Sequence, residues 1–197
     1  MNRAIFLTGI FFTLVVSVCP SFAQEGLYIG GNLNGVSLGG DLAPSTSIGT
    51  GANFILGIQT SSTFALELEA YASLMRLKDS SWETAYLSGF NLNFKRLFSP
   101  GKKLLHPYFI VGLGASGFAW QYPTNNHNSV DPESDGIAAF TLAPGFGFEF
   151  QINRFIALNT YGRFFSNSWG KKTMKGKESG YESGNTFMVN LGILMHF

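Results

Sequence analysis

From Leu27 onward the chain repeats one pattern eight times: a short run, on the order of ten residues, with apolar side chains at alternate positions. The runs are Leu27–Val36, Gly51–Gln59, Thr63–Leu74, Thr84–Leu97, Pro107–Trp120, Ile137–Ile152, Phe155–Ser166 and Thr186–Phe197. Residues two apart share one face of a strand, so each run has two chemically different sides. In the last run, Phe187, Val189, Leu191, Ile193, Met195 and Phe197 form an apolar row. Met188, Asn190, Gly192, Leu194 and His196 lie opposite, smaller and more polar on average. No helical period competes after residue 24. An even count of alternating segments predicts an all-β, eight-stranded antiparallel up-and-down barrel.

The other runs show which row faces what. The third sets Phe64, Leu66, Leu68, Ala70 and Ala72 against Ala65, Glu67, Glu69, Tyr71 and Ser73. The fourth sets Phe90, Leu92 and Phe94 against Asn91, Asn93 and Lys95; the sixth sets Phe146, Phe148 and Phe150 against Gly145, Gly147, Glu149 and Gln151. In the seventh, Ile156, Leu158, Thr160 and Phe164 oppose Ala157, Asn159, Tyr161 and Arg163. A soluble barrel would crowd its polar rows with Lys and Glu. Here they hold Gly, Ala, Ser and Asn, and charged residues make up only 13% of the chain against 20 Phe and 24 Gly. Small polar residues suit the narrow interior of eight strands, and the Phe-rich rows suit lipid. The expectation is a transmembrane barrel with its apolar side outward.

Connection lengths give the orientation. Ser37–Thr50, Met75–Glu83, Gln121–Gly136 and Asn167–Asn185 are long, whereas Thr60–Ser62 and Asn153–Arg154 are very short. Such barrels keep short turns on the periplasmic side and long loops outside. With both termini periplasmic, the long connections all fall outside. Trp82, Trp120 and Trp169 then sit near the outer rim, where an apolar ring with a polar N–H is favoured.

Upstream, Met1–Ala23 carries Arg3, an apolar run over Ala4–Val18, and small residues Ser21 and Ala23 before Gln24. This is the pattern of a secretory leader cut between Ala23 and Gln24, leaving 24–197 as one barrel domain. Removing Arg3 takes Lys+Arg from 13 to 12, equal to the 12 Asp+Glu. That balance gives no basic excess for nucleic acid. Cys19, the single cysteine, leaves with the leader, so no disulfide or thiolate metal site is expected.

GLYIGGNLN (26–34), FALELEAYAS (64–73), HPYFIVGLGAS (106–116) and PGFGFEF (144–150), ending in Phe197, together resemble the OmpA/OmpX-like outer-membrane β-barrel superfamily of Gram-negative bacteria. The resemblance covers essentially the whole chain after the leader. It implies a small surface antigen or porin-family protein, and it implies that Leu191, Ile193, Met195 and Phe197 are read by the outer-membrane insertion machinery. Pro144 departs from the usual Gly or Ala and predicts a bulge or a later start for the sixth strand. The chain ends at Phe197, so cell-wall anchoring, a role of longer relatives, is not expected.

The candidate site is the lumen. Glu67, Glu69, Lys95, Glu149 and Arg163 should face inward as a mixed-sign network, because an enclosed charge is costly unless paired. Arg163 is expected beside Glu149 on the adjacent strand. A plug of ion pairs is expected rather than a conducting pathway, since eight strands leave little bore. Lipid A deacylases are also eight-stranded barrels and carry a His two residues before a Ser-Asn pair. Here Ser166-Asn167 is preceded by Phe164 at the base position, so Ser166 has no partner to take its proton. His106, His127 and His196 are too scattered for a metal. No catalysis and no cofactor are expected. The cationic loop Lys171–Lys177 is read as solvated, with contact to lipopolysaccharide or an external ligand as the functional alternative. The expected role is structural or adhesive, with a narrow porin-like channel and a lipid A-modifying enzyme as alternatives. The partners are outer-membrane lipid, lipopolysaccharide and the insertion machinery, and the protein is expected to be a monomer.

Overall fold

The computed structural model describes residues 26–40, 46–76, 84–98, 104–121, 134–169, 172–174, 177–179 and 184–197, with backbone only for 40, 120, 121, 134, 135, 169, 172–174 and 177–179. Its strands are β1 (Leu27–Gly40), β2 (Gly49–Ser61), β3 (Phe64–Arg76), β4 (Thr84–Leu97), β5 (Leu105–Gln121), β6 (Ser134–Gln151), β7 (Ile156–Trp169), β8 (Lys172–Met174), β9 (Lys177–Ser179) and β10 (Gly184–His196). Eight of them close into one antiparallel barrel in the order β1-β10-β7-β6-β5-β4-β3-β2, each beside its chain neighbour, with β8 and β9 forming a separate hairpin. Closure falls between first and last strands, from Tyr28 opposite His196 to Gly40 opposite Gly184. Beyond it, the Phe197 N–H donates to the Leu27 carbonyl at 2.9 Å.

The pleat separates the two rows. Outward stand Phe54, Leu68, Phe90, Phe140, Phe164 and Leu191, with Phe90 63% and Leu191 64% exposed. Inward stand Asn53, Glu69, Asn91, Thr141, Arg163 and Asn190, all buried. An apolar belt of this extent round the whole wall is untenable in water. In hydrocarbon, closure leaves no unpaired strand edge.

At one end two of the three connections are tight, and the third, between β4 and β5, spans 98–104. Ser62 and Thr63 join β2 to β3. Asn153 orders the turn from β6 to β7: its side-chain oxygen accepts the N–H groups of Phe155 at 2.8 Å and Ile156 at 2.9 Å. All the longest connections gather at the opposite end.

Three sequence expectations are corrected here. The strands run up to four residues further than periodicity marked, because glycine-rich ends such as Leu38-Gly39-Gly40 read as turns. The connection drawn over Asn167–Asn185 contains β8 and β9, whose three-residue arms are too short to show a period. Pro144 causes no bulge and no late start. β6 begins earlier, at Ser134, and Pro144 stays paired with Val111 on β5. On the β7 side the ladder lapses at Ala143 and Pro144 and resumes in the same register, Leu142 with Ser166 before the gap and Gly145 with Arg163 after it. The ring costs pairing on one side only.

Candidate functional site

The barrel interior is built in three tiers. At the end bearing the short turns, Tyr28, Ile55, Ala65, Leu97, Tyr108, Tyr161 and Leu194 pack as an apolar cluster. At the far end a second cluster includes Val36, Leu38, Met75, Leu87, Phe118, Phe165 and Met188. Glu67, Glu69, Lys95 and Arg163 lie between members of these clusters along β3, β4 and β7, Glu149 lies near the short-turn end of β6, and all five are buried.

Two ion-pair groups form the middle tier. Lys95 Nζ lies 3.0 Å from Glu67 Oε1 and also pairs with Glu149 Oε1. Tyr28 donates its hydroxyl to the same Glu67 oxygen at 2.7 Å. The ammonium sits 4.3 Å from the centre of the Tyr108 ring, close enough for cation–π attraction. In the second group Arg163 Nη1 pairs with Glu69 Oε2. Glu69 also accepts from Asn53 Nδ2 at 2.5 Å, Tyr161 Oη at 2.6 Å and Asn93 Nδ2 at 3.0 Å. Arg163 Nη2 donates to Asn93 Oδ1 at 2.8 Å and to the Ala143 carbonyl at 3.0 Å, beside the gap that Pro144 leaves in the ladder.

The partner assignment differs from the sequence expectation. Arg163 binds Glu69 across the lumen, and Glu149 goes to Lys95. Strand adjacency misleads here, because Arg163 stands opposite Gly145 in the β6–β7 ladder while Glu149 stands opposite Asn159. The guanidinium crosses where β5 and β6 offer no side chain: a Cβ on Gly112 would collide with Arg163 Nη2 and Asn93 Oδ1, and one on Gly145 would lie 2.7 Å from Arg163 Cγ. Glycine clears the path, which two-residue periodicity does not register.

Towards the long-connection end a third polar group threads the apolar cluster. Tyr71 Oη lies 2.7 Å from Ser116 Oγ, and Ser116 Oγ 2.6 Å from Thr141 Oγ1. Thr141 donates to Asn167 at 3.0 Å, and Asn167 donates to Thr186 at 3.0 Å.

Sequence reading missed the apolar outer tier. Leu87, Phe118 and Phe165 lie on rows that also carry polar residues, and a row average hides them.

The remaining candidates fall elsewhere. Leu191, Ile193, Met195 and Phe197 lie along the exposed face and end of β10. Ser166 is exposed on the outer wall, in register with Asn185 and Leu142. Among the described residues no group of three His, Cys, Asp or Glu could hold a metal ion. Trp120 and Trp169 occupy the long-connection ends of β5 and β7, but their side chains, like Trp82, Ala23, Gln24, Lys171 and the tip of that cationic loop, lie outside the described residues.

An apolar wall around a polar, ion-paired interior is the inversion that membrane barrels show, and comparison with known proteins bears on it directly. The family model for the outer membrane protein β-barrel domain matches residues 9–193. The chain belongs to this outer-membrane β-barrel family. As a member of this family, it is placed in the bacterial outer membrane. Among solved structures it is similar to Neisserial surface protein A, at 10% identity over 88% of this chain and 98% of that one, with a TM-score of 0.65. It is also similar to Ail, the attachment invasion locus protein of Yersinia pestis, at 12% identity over 88% and 100%, with a TM-score of 0.54. The outer membrane protein OprG of Pseudomonas aeruginosa gives 14% identity over 88% and 96%, with a TM-score of 0.53. At these identities the likeness is one of fold. Among curated proteins none matches the sequence.

Proposed function

We propose that this outer-membrane barrel, freed of a leader at Ala23–Gln24, is a non-catalytic surface protein that supports envelope integrity or adhesion through its outer connections. The observation that carries this reading is the filled lumen. Any solute path would have to force open both apolar clusters and the ion-paired tier between them, and eight strands leave no spare bore around them. With the interior spent on packing, the surfaces left for recognition are the outer connections. Ail carries attachment in its name, and it has also been solved with the heparin analogue sucrose octasulfate. This supports an external ligand, with the Lys171–Lys177 loop as the cationic contact.

In this reading outer-membrane lipid and lipopolysaccharide surround a monomer, and the insertion machinery engages Leu191, Ile193, Met195 and Phe197. No cofactor or nucleic acid is involved. Planar-bilayer recording tests the reading: the purified protein should show no stable large conductance, while intact cells expressing it should bind sulfated polysaccharide more than cells lacking it.

A narrow porin-like channel is the second reading. The hydrogen-bonded line from Tyr71 through Ser116, Thr141 and Asn167 to Thr186 favours it, since it carries polar groups into the outer apolar tier. Stable conductance that vanishes in Glu149→Ala would select this alternative.

A further inference from the structure

The outer wall is not uniformly large and apolar. Ala52, Ala72 and Ser88 stand in register on β2, β3 and β4, with Gly117 next on β5. This row of small residues crosses a surface otherwise built from Phe and Leu. Leu33, paired with Ala52, closes one end. Leu74 and Tyr86, paired with each other, rise on the side of the long connections. The wall dips between them into an open, shallow groove of about 710 Å³.

Two further observations give the groove a chemical character. Ser88 and Thr50 point outward, and their hydroxyls have no hydrogen-bond partner among the described residues. Thr160, also on the wall, instead returns its hydroxyl to the Asn190 carbonyl at 3.0 Å. A hydroxyl facing hydrocarbon without a partner is unfavourable, so the occupant should bring oxygen acceptors. Arg76 follows Leu74 by two residues on the same outward row of β3. It is exposed and forms no ion pair with any described residue. It is the last residue of β3 on the long-connection side, and with those connections outside a cation there would meet headgroup phosphate.

We propose that this groove is a site for a phosphorylated, acylated outer-leaflet lipid of the lipid A class. One acyl chain lies over Ala52 and Ala72, its ester or hydroxyl oxygens meet Ser88 and Thr50, and a phosphate meets Arg76. A second copy of the chain fits less well. A two-fold pairing about the groove brings Arg76 towards its own equivalent, with no acid among the lining residues to separate the two cations. The site deepens the surface-protein reading and rests on its orientation, with the long connections outside.

The test is native mass spectrometry of the full barrel refolded in zwitterionic micelles, with purified lipid A, enzymatically dephosphorylated lipid A and phosphatidylethanolamine as separate probes. Wild type should retain lipid A. Ala72→Phe, which fills the groove, should reduce the adduct at least tenfold, and Leu158→Ala on the far wall should leave it unchanged. Arg76→Gln should weaken lipid A several-fold yet leave the dephosphorylated form unaffected. Heat-dependent gel mobility verifies folding of each variant, and Ser88→Leu replaces Ala72→Phe if the latter does not fold. Equal adducts in wild type and the groove-filling variant overturn the site, as does equal retention of phosphatidylethanolamine or loss of a dimer in place of a lipid. Orientation is scored separately by a membrane-impermeant maleimide on Ser47→Cys in intact cells. Labelling only after lysis overturns the orientation, whereas labelling without lipid retention overturns the site alone.

Discussion

Glu69 accepts four hydrogen bonds, one of them from a guanidinium, and is itself buried. Deleting one member of a buried pair strands the other, a cost of about 3–5 kcal/mol. Arg163→Met is therefore expected to lower the unfolding free energy, measured by urea titration in lipid vesicles, by that order. The double variant Glu69→Gln/Arg163→Met should recover much of the loss, because no bare charge is left; additive losses would show that the two residues do not act as a pair. Gly112→Ala tests the same site from β5. Its Cβ would overlap Arg163 Nη2 and Asn93 Oδ1, so the same titration should show a loss of about 1–3 kcal/mol from overpacking. The inward placement of these charges was legible from residues two apart. The choice of partner was not, since it depends on reach across the lumen and on missing side chains at Gly112 and Gly145.

Among the elements, β6 and β10 break the expected rules in instructive ways. A proline inside a sheet reads as an edge or a bulge, yet β6 keeps its register on both sides and gives up pairing only at Ala143 and Pro144. The Ala143 carbonyl then serves Arg163. Pro144→Ala supplies an N–H to the ladder, and hydrogen exchange should find that new amide protected, with stability changed by no more than about 1 kcal/mol. If the amide exchanges freely, the gap is set by β7 and not by the proline ring. For β10, Phe197→Ala keeps the backbone bond to Leu27 but removes the terminal ring. Assembly into the outer membrane should fall in cells while the refolded variant melts like wild type; a parallel loss of melting stability would assign Phe197 to packing. The eight alternating elements could be read because each presents a period of two over a whole span. Their ends could not, because glycine serves both strands and turns, and the β8–β9 hairpin is too brief to announce itself.

For the molecule as a whole, the sequence carried the architecture more fully than the interior. Count, alternation and unequal connections suffice for a closed antiparallel wall with its phenylalanines outward. The outer apolar tier of Leu87, Phe118, Phe165 and Met188 lay hidden because the rows that hold it also carry polar residues, Asn91, Ser116, Asn167 and Thr186 among them. That tier makes a prediction at this scale: Phe165→Ala opens space above Arg163 and, if the plug reading is right, converts a silent barrel into one with small, flickering currents in planar bilayers. Persistent silence would mean that the ion-paired tier alone is sufficient to seal the bore.

The seam between β1 and β10 has a consequence for the order of events during biogenesis. The earliest segment to emerge waits for the latest before its second edge is satisfied, so no half-made intermediate can rest stably in a hydrocarbon phase. All-or-none insertion into lipid is the expected consequence, since the wall is sealed only when β10 meets β1.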